Sequence, residues 1–91
     1  MVKIVSLMTG EDVIGSVEEK NNGYEITNPL LLILSQQGIG TMPLVPYSLD
    51  KTFFIKDQHV LFVSNPEPEL ANQYKAQFGG GIITPDLKIV K

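Results

Sequence analysis

The stretch LMTGEDVIGSV, Leu7 to Val17, decides how this chain is read. Apolar residues at Leu7, Val13 and Val17 surround Gly10 and Gly15, so two strands with period-2 alternation flank a tight turn at Thr9-Gly10. Gly10 serves the turn because a residue without Cβ takes positive φ at little cost. Gly15 falls inside the second strand, where glycine weakens a sheet unless the strand bends sharply or another backbone approaches. The expectation is a strongly bent strand. A second segment, FIKDQHVLFV from Phe54 to Val63, reads as a hairpin around Lys56-Asp57-Gln58. Its arms are apolar on both faces, which predicts burial on both sides.

Composition sets outer limits. At 91 residues the chain is a single domain, residues 1 to 91, and a domain of this size buries only about two-thirds of its unfolded surface. Association would help it. The chain has no Cys, which excludes disulfides and thiolate chemistry. The start, Met-Val-Lys-Ile, lacks the apolar core and cleavage site of a signal peptide. The longest apolar run, Leu30 to Leu34, is too short to cross a bilayer. A soluble cytoplasmic protein with no membrane partner is expected. The formal net charge is −3 and the chain carries Lys but no Arg. Both facts weigh against a broad phosphate-binding surface, which needs clustered basic groups. A closed ring would repeat each Lys around an axis and so line a basic pore inside an acidic shell.

The pattern predicts strands over Val2 to Met8, Glu11 to Glu19 and Gly23 to Ser35. Asn21-Asn22-Gly23 marks a hairpin, and Pro29, lacking a donor, implies a bend, bulge or edge within the third strand. Leu30 to Leu34 is expected to be buried. Gln36 to Lys51, with Gly38, Gly40, Pro43 and Pro46, reads as a long loop with room for a short strand at Met42 to Tyr47. Strands four and five are expected at Phe53 to Lys56 and His59 to Val63. Ser64 to Glu69 then resembles a helix start, with prolines in the first turn and carboxylates at the positive end of the helix dipole. Leu70, Tyr74 and Phe78 form one apolar stripe. Gly79 to Gly81 ends the helix, and Ile82 to Val90 reads as an extended tail.

Taken together and in this order, the two segments resemble the Sm/LSm family, which includes the bacterial host factor Hfq. Leu7, Gly10, Val13, Gly15 and Val17 fit the first Sm motif. Ile55 to Val63 follow the second, with Lys56 and Asp57 in place of its Arg-Gly. The resemblance implies a mostly β fold: a small, strongly bent, five-stranded antiparallel barrel of Sm-like (SH3-like) type over about residues 1 to 64. The helix and tail over about residues 65 to 91 depart from the family, whose helix usually precedes the first strand. The altered motifs suit a phage-borne or otherwise divergent member.

Function follows as expectation. Sm-like proteins pair their last two strands between neighbours in a ring, which implies a homo-oligomer joined through Phe53, Phe54 and Ile55 on one edge and Val60, Leu61, Phe62 and Val63 on the other. Exposed strand edges need a partner; the alternative is that the tail, Ile82 to Val90, caps the edge within one monomer. The family binds RNA at the pore through the loop before strand three and the second-motif loop. An ungapped reading from Gly15 places Asn21, Gly23 and Glu25 at the family's Asp, stacking and Asn positions; a shift of three residues places Tyr24, Ile26 and Asn28 there. The candidate nucleic-acid residues are thus Asn21, Asn22, Tyr24, Asn28, Lys56, Asp57, Gln58 and His59. Tyr24 offers a stacking face or, more simply, a cross-strand pair. Lys56 keeps a charge without the guanidinium fork, and Asp57 can occupy a left-handed turn.

The chain offers no catalytic set. His59 and Asp57 are the only His-carboxylate neighbours, no Ser-His-Asp order, phosphate loop or metal-ligand spacing is present, and no cofactor or metal is implied. The expectation is a non-catalytic ring protein that binds single-stranded RNA or DNA. The alternative is an oligomeric scaffold that holds a protein partner through the Leu70, Tyr74, Phe78 stripe or the tail.

Overall fold

The computed structural model describes residues 1–78; the expected tail from Gly79 onward lies outside them. The chain forms β1 (Val2–Leu7), β2 (Asp12–Lys20), β3 (Gly23–Ser35), β4 (Gly38–Pro43), β5 (Thr52–Lys56), a 3-10 turn (Asp57–His59), β6 (Val60–Ser64) and α1 (Pro68–Phe78). All ladders are antiparallel. The lateral order is β4-β3-β2-β1-β6, with β5 also on β3. Because β2 occupies one flank of β3, β4 and β5 share the other, meeting end to end where β3 passes Asn28 and Pro29. The expected five-strand arrangement survives as five lateral positions, one of them filled by two strands. Among the described residues no ladder joins β5 to β6 and the sheet is not closed.

The bend expected at Gly15 is a β-bulge. The register passes from Ile14↔Leu30 to Ser16↔Thr27, leaving Asn28 and Pro29 opposite Gly15. Asn28 takes φ 53, a left-handed conformation that its short polar side chain tolerates. A Cβ at Gly15 would lie 2.5 Å from Ile26 Cγ2 and 3.2 Å from Thr27 O, so glycine is required by the approach of β3. Gly23 answers a different need from the one its sequence suggested. In the β2–β3 hairpin Asn22, with φ 69, carries the left-handed conformation. A Cβ at Gly23 would instead collide with the Ile55 carbonyl and, at 2.6 Å, with the Phe54 ring.

Alternation along the strands divides the core into two layers. Val5, Val13 and Ile26 are fully buried on one face. Ile14 and Leu30 lie on the other face and form one cluster with Tyr74 of α1, flanked by Val2, Ile4, Leu32 and Leu70. Tyr74 Oη donates to the Thr27 and Asn28 carbonyl oxygens, each at 2.9 Å. Burial pushes the Tyr74 phenol above its ordinary pKa, opposed in part by the hydrogen bond from the Ser16 backbone. The helix therefore covers its own sheet at the bulge. Tyr74 is buried there, Leu70 is half-buried and Phe78 is exposed.

Two local expectations need correction. The Leu30 to Leu34 run is not buried throughout: Ile33 is exposed and Leu34 is 83% exposed, because β3 runs past the end of β2 at Leu32 and pairs beyond it with β4 alone. The short strand expected at Met42 to Tyr47 runs instead over Gly38–Pro43, ended by the missing donors of Pro43 and Pro46. The helix begins at Pro68, inside the Ser64 to Glu69 stretch expected to start it, while Ser64 itself closes β6; the Glu67 carbonyl accepts the first helical bond, from Ala71 N, at 2.9 Å.

Candidate nucleic-acid interface and assembly edges

Lys56 ends β5 opposite Gly23, and the chain then turns through Asp57–His59 into β6. Asp57 N–H donates to the Asn22 carbonyl at 2.9 Å, and Met8 N–H donates to the His59 carbonyl at 2.8 Å. The short 3-10 turn thus ties the β2–β3 hairpin to the β1–β2 turn. Asn21, Asn22, Lys56, Asp57, Gln58 and His59 come together at this end, all exposed. The expectation that Asp57 adopts a left-handed turn is corrected: among the described non-glycine residues only Asn22 and Asn28 have positive φ. A 3-10 turn keeps φ negative, so this turn needs no glycine at position 57.

The other two candidates are placed differently. Tyr24 is half-buried in a cross-strand row between Glu19 and Ile55. Asn28 lies five residues along β3 from Gly23, about 16 Å in an extended strand, and belongs to the bulge. Its N–H donates to Lys51 O at 2.7 Å, and Leu44 N–H donates to Pro29 O at 3.1 Å. These bonds pin both ends of the Leu44 to Lys51 loop beside a shallow groove of about 150 Å³, whose walls include Pro29, Pro46, Phe53 and Phe78. Nothing local in the sequence marks this groove, because it is built from segments that touch only after β3 bends.

Charge at the hairpin end is mixed. Lys20 and Lys56 stand near Glu18, Glu19, Glu25 and Asp57, with Glu18 directly opposite Glu25. Lys20 pairs with Glu18 at 3.3 Å, and Lys56 makes no ion pair among the described residues. The end offers amide, imidazole and carboxylate groups for hydrogen bonding and one unpaired lysine for a phosphate. Among the described residues no group of three or more His, Cys, Asp or Glu is arranged to hold a metal ion, and no helix is long and apolar enough to cross a membrane.

The two strands expected at the assembly edges each have one unpaired flank among the described residues: β5 pairs with β3 only and β6 with β1 only. Burial on both faces is corrected. Phe53, Ile55, Val60 and Val63 are half-buried, whereas Phe54, Leu61 and Phe62 are each at least 50% exposed. In a single copy the outward face of each edge strand is therefore open.

No protein-family model matches this chain, and no curated protein matches it.

Proposed function

We propose that this chain is an Sm-like protein whose curled sheet acts as an open barrel, and that copies assemble into a homo-oligomeric ring through the free edges of β5 and β6. Its role is to bind single-stranded nucleic acid, RNA first, without chemistry. The observation that carries this reading is the tie between Asp57 and Asn22, which unites the two loops that the Sm motifs assign to the pore. Each copy contributes Asn21, Asn22, Gln58 and His59 for base edges and Lys56 for a phosphate. A ring multiplies that weak set by its number of subunits. The exposed Phe54, Leu61 and Phe62 beside unpaired backbone support the assembly.

The second reading is an oligomeric scaffold that binds a protein partner and no nucleic acid. It is favoured by four carboxylates against two lysines at the hairpin end, named above, which weaken attraction for phosphate. Native mass spectrometry of gently purified protein separates the two. A single closed oligomer carrying RNA supports the first reading, an empty oligomer supports the scaffold, and a bare monomer defeats both.

A further inference from the structure

The loop between β4 and β5 presents two large apolar side chains to solvent. Tyr47 is 89% exposed and Leu49 is 97% exposed. The loop itself is well held. Its ends bond to Pro29 and Asn28, Ser48 N–H donates to Val45 O at 3.1 Å, and Asp50 N–H donates to Ser48 Oγ at 3.0 Å. Val45, Pro46 and Ser48 line the groove, and Tyr47 and Leu49 do not. Two apolar residues are thus displayed on a braced support, midway along the edge shared by β4 and β5.

That edge alone is a small interface. A five-residue strand is about 17 Å long, and a sheet is about 10 Å thick, so pairing β5 with β6 of another copy covers on the order of 200 Å² per partner. A stable interface of standard size takes about 800 Å² per partner. A buried tyrosine adds about 150 to 250 Å², and a rigidly presented aromatic loses little entropy on binding. Exposed Leu61 and Phe62 on β6 offer a matching apolar surface.

We infer that the Leu44 to Lys51 loop is an assembly arm, and that its Tyr47 and Leu49 pack on Leu61 and Phe62 of a second copy whose β6 lies beside β5. This rests on the edge-to-edge assembly proposed above. The chain has no Cys, so single-cysteine proteins report the contact directly. Tyr47→Cys and Phe62→Cys proteins, mixed and mildly oxidised, are expected to form a 47–62 disulfide that neither forms alone. The double variant Tyr47→Ser, Leu49→Ser is expected to raise the concentration at which the oligomer dissociates by at least tenfold in sedimentation velocity, with circular dichroism unchanged. Undiminished assembly of the double variant, or an assembled mixture without the 47–62 cross-link, overturns the arm and leaves the edge assembly standing. Wild-type protein that stays monomeric at every concentration overturns both.

Discussion

Tyr74 of α1 reaches across the sheet to place its hydroxyl 2.9 Å from the Thr27 carbonyl, 47 residues earlier. The helix thereby grips β3 beside the point where it bends. Tyr74→Phe removes the bond and is expected to cost about 1 kcal/mol in urea denaturation, the usual worth of one buried hydrogen bond. Tyr74→Ala also opens a cavity against Ile14 and Leu30 and should cost about 3 to 5 kcal/mol.

The same residue sets an alkaline limit. Its phenol is raised above 10.0 by burial, so the unfolded chain loses this proton first as pH rises. The stabilisation is fully present below pH 10 and is lost as pH climbs through the folded-state value. Denaturation midpoints measured across that window should fall in the wild type and fall less steeply in Tyr74→Phe. Equal slopes would dissociate Tyr74 from the effect.

Gly15→Ala is expected to destabilise the fold by about 1 to 3 kcal/mol, the common cost of overpacking. The added Cβ meets the fully buried Ile26, which has nowhere to retreat. A thermal melt that does not move would mean that β2 and β3 separate there at no cost.

On the proposed nucleic-acid reading, Lys56→Ala should weaken oligonucleotide binding and reduce its salt dependence by about one phosphate contact. Fluorescence anisotropy at several salt concentrations measures both. Unchanged affinity and slope would take Lys56 out of the site.

Ending the chain at Asn65 looks, from sequence, like a clean removal of a docking helix. The structure predicts otherwise, because Ile14 and Leu30 lose their cover. Calorimetry should show the melting temperature lowered by more than about 10 °C, since each kcal/mol shifts a domain of this size by about 4 to 8 °C. Surface substitutions such as Phe78→Ser are therefore the better probe of a partner.

Local signals carried much of this fold. β3 is legible because turn chemistry stands at each end, Asn21-Asn22-Gly23 before it and Gly38 after it, and the mid-strand Gly15 announced the close approach that the bulge requires. Burial was harder, since Leu34 and Leu30 are chemically alike and differ only in whether α1 lies over them. Motif spacing points to the hairpin end. Asn28 was drawn into the same site because sequence distance does not reveal that it belongs to the bulge, and Tyr47 and Leu49 went unnoticed because nothing local distinguishes an outward-facing loop residue from an inward one.

The pairing of Ile4 with Ser64 has a kinetic consequence. A chain emerging from the ribosome can complete the β2–β3 hairpin early, yet the outer flank of β1 waits some sixty residues for its neighbour. Contacts so distant in sequence slow folding and leave an adhesive strand uncovered during synthesis. Among the described strands, the last to be made is the one that silences the first.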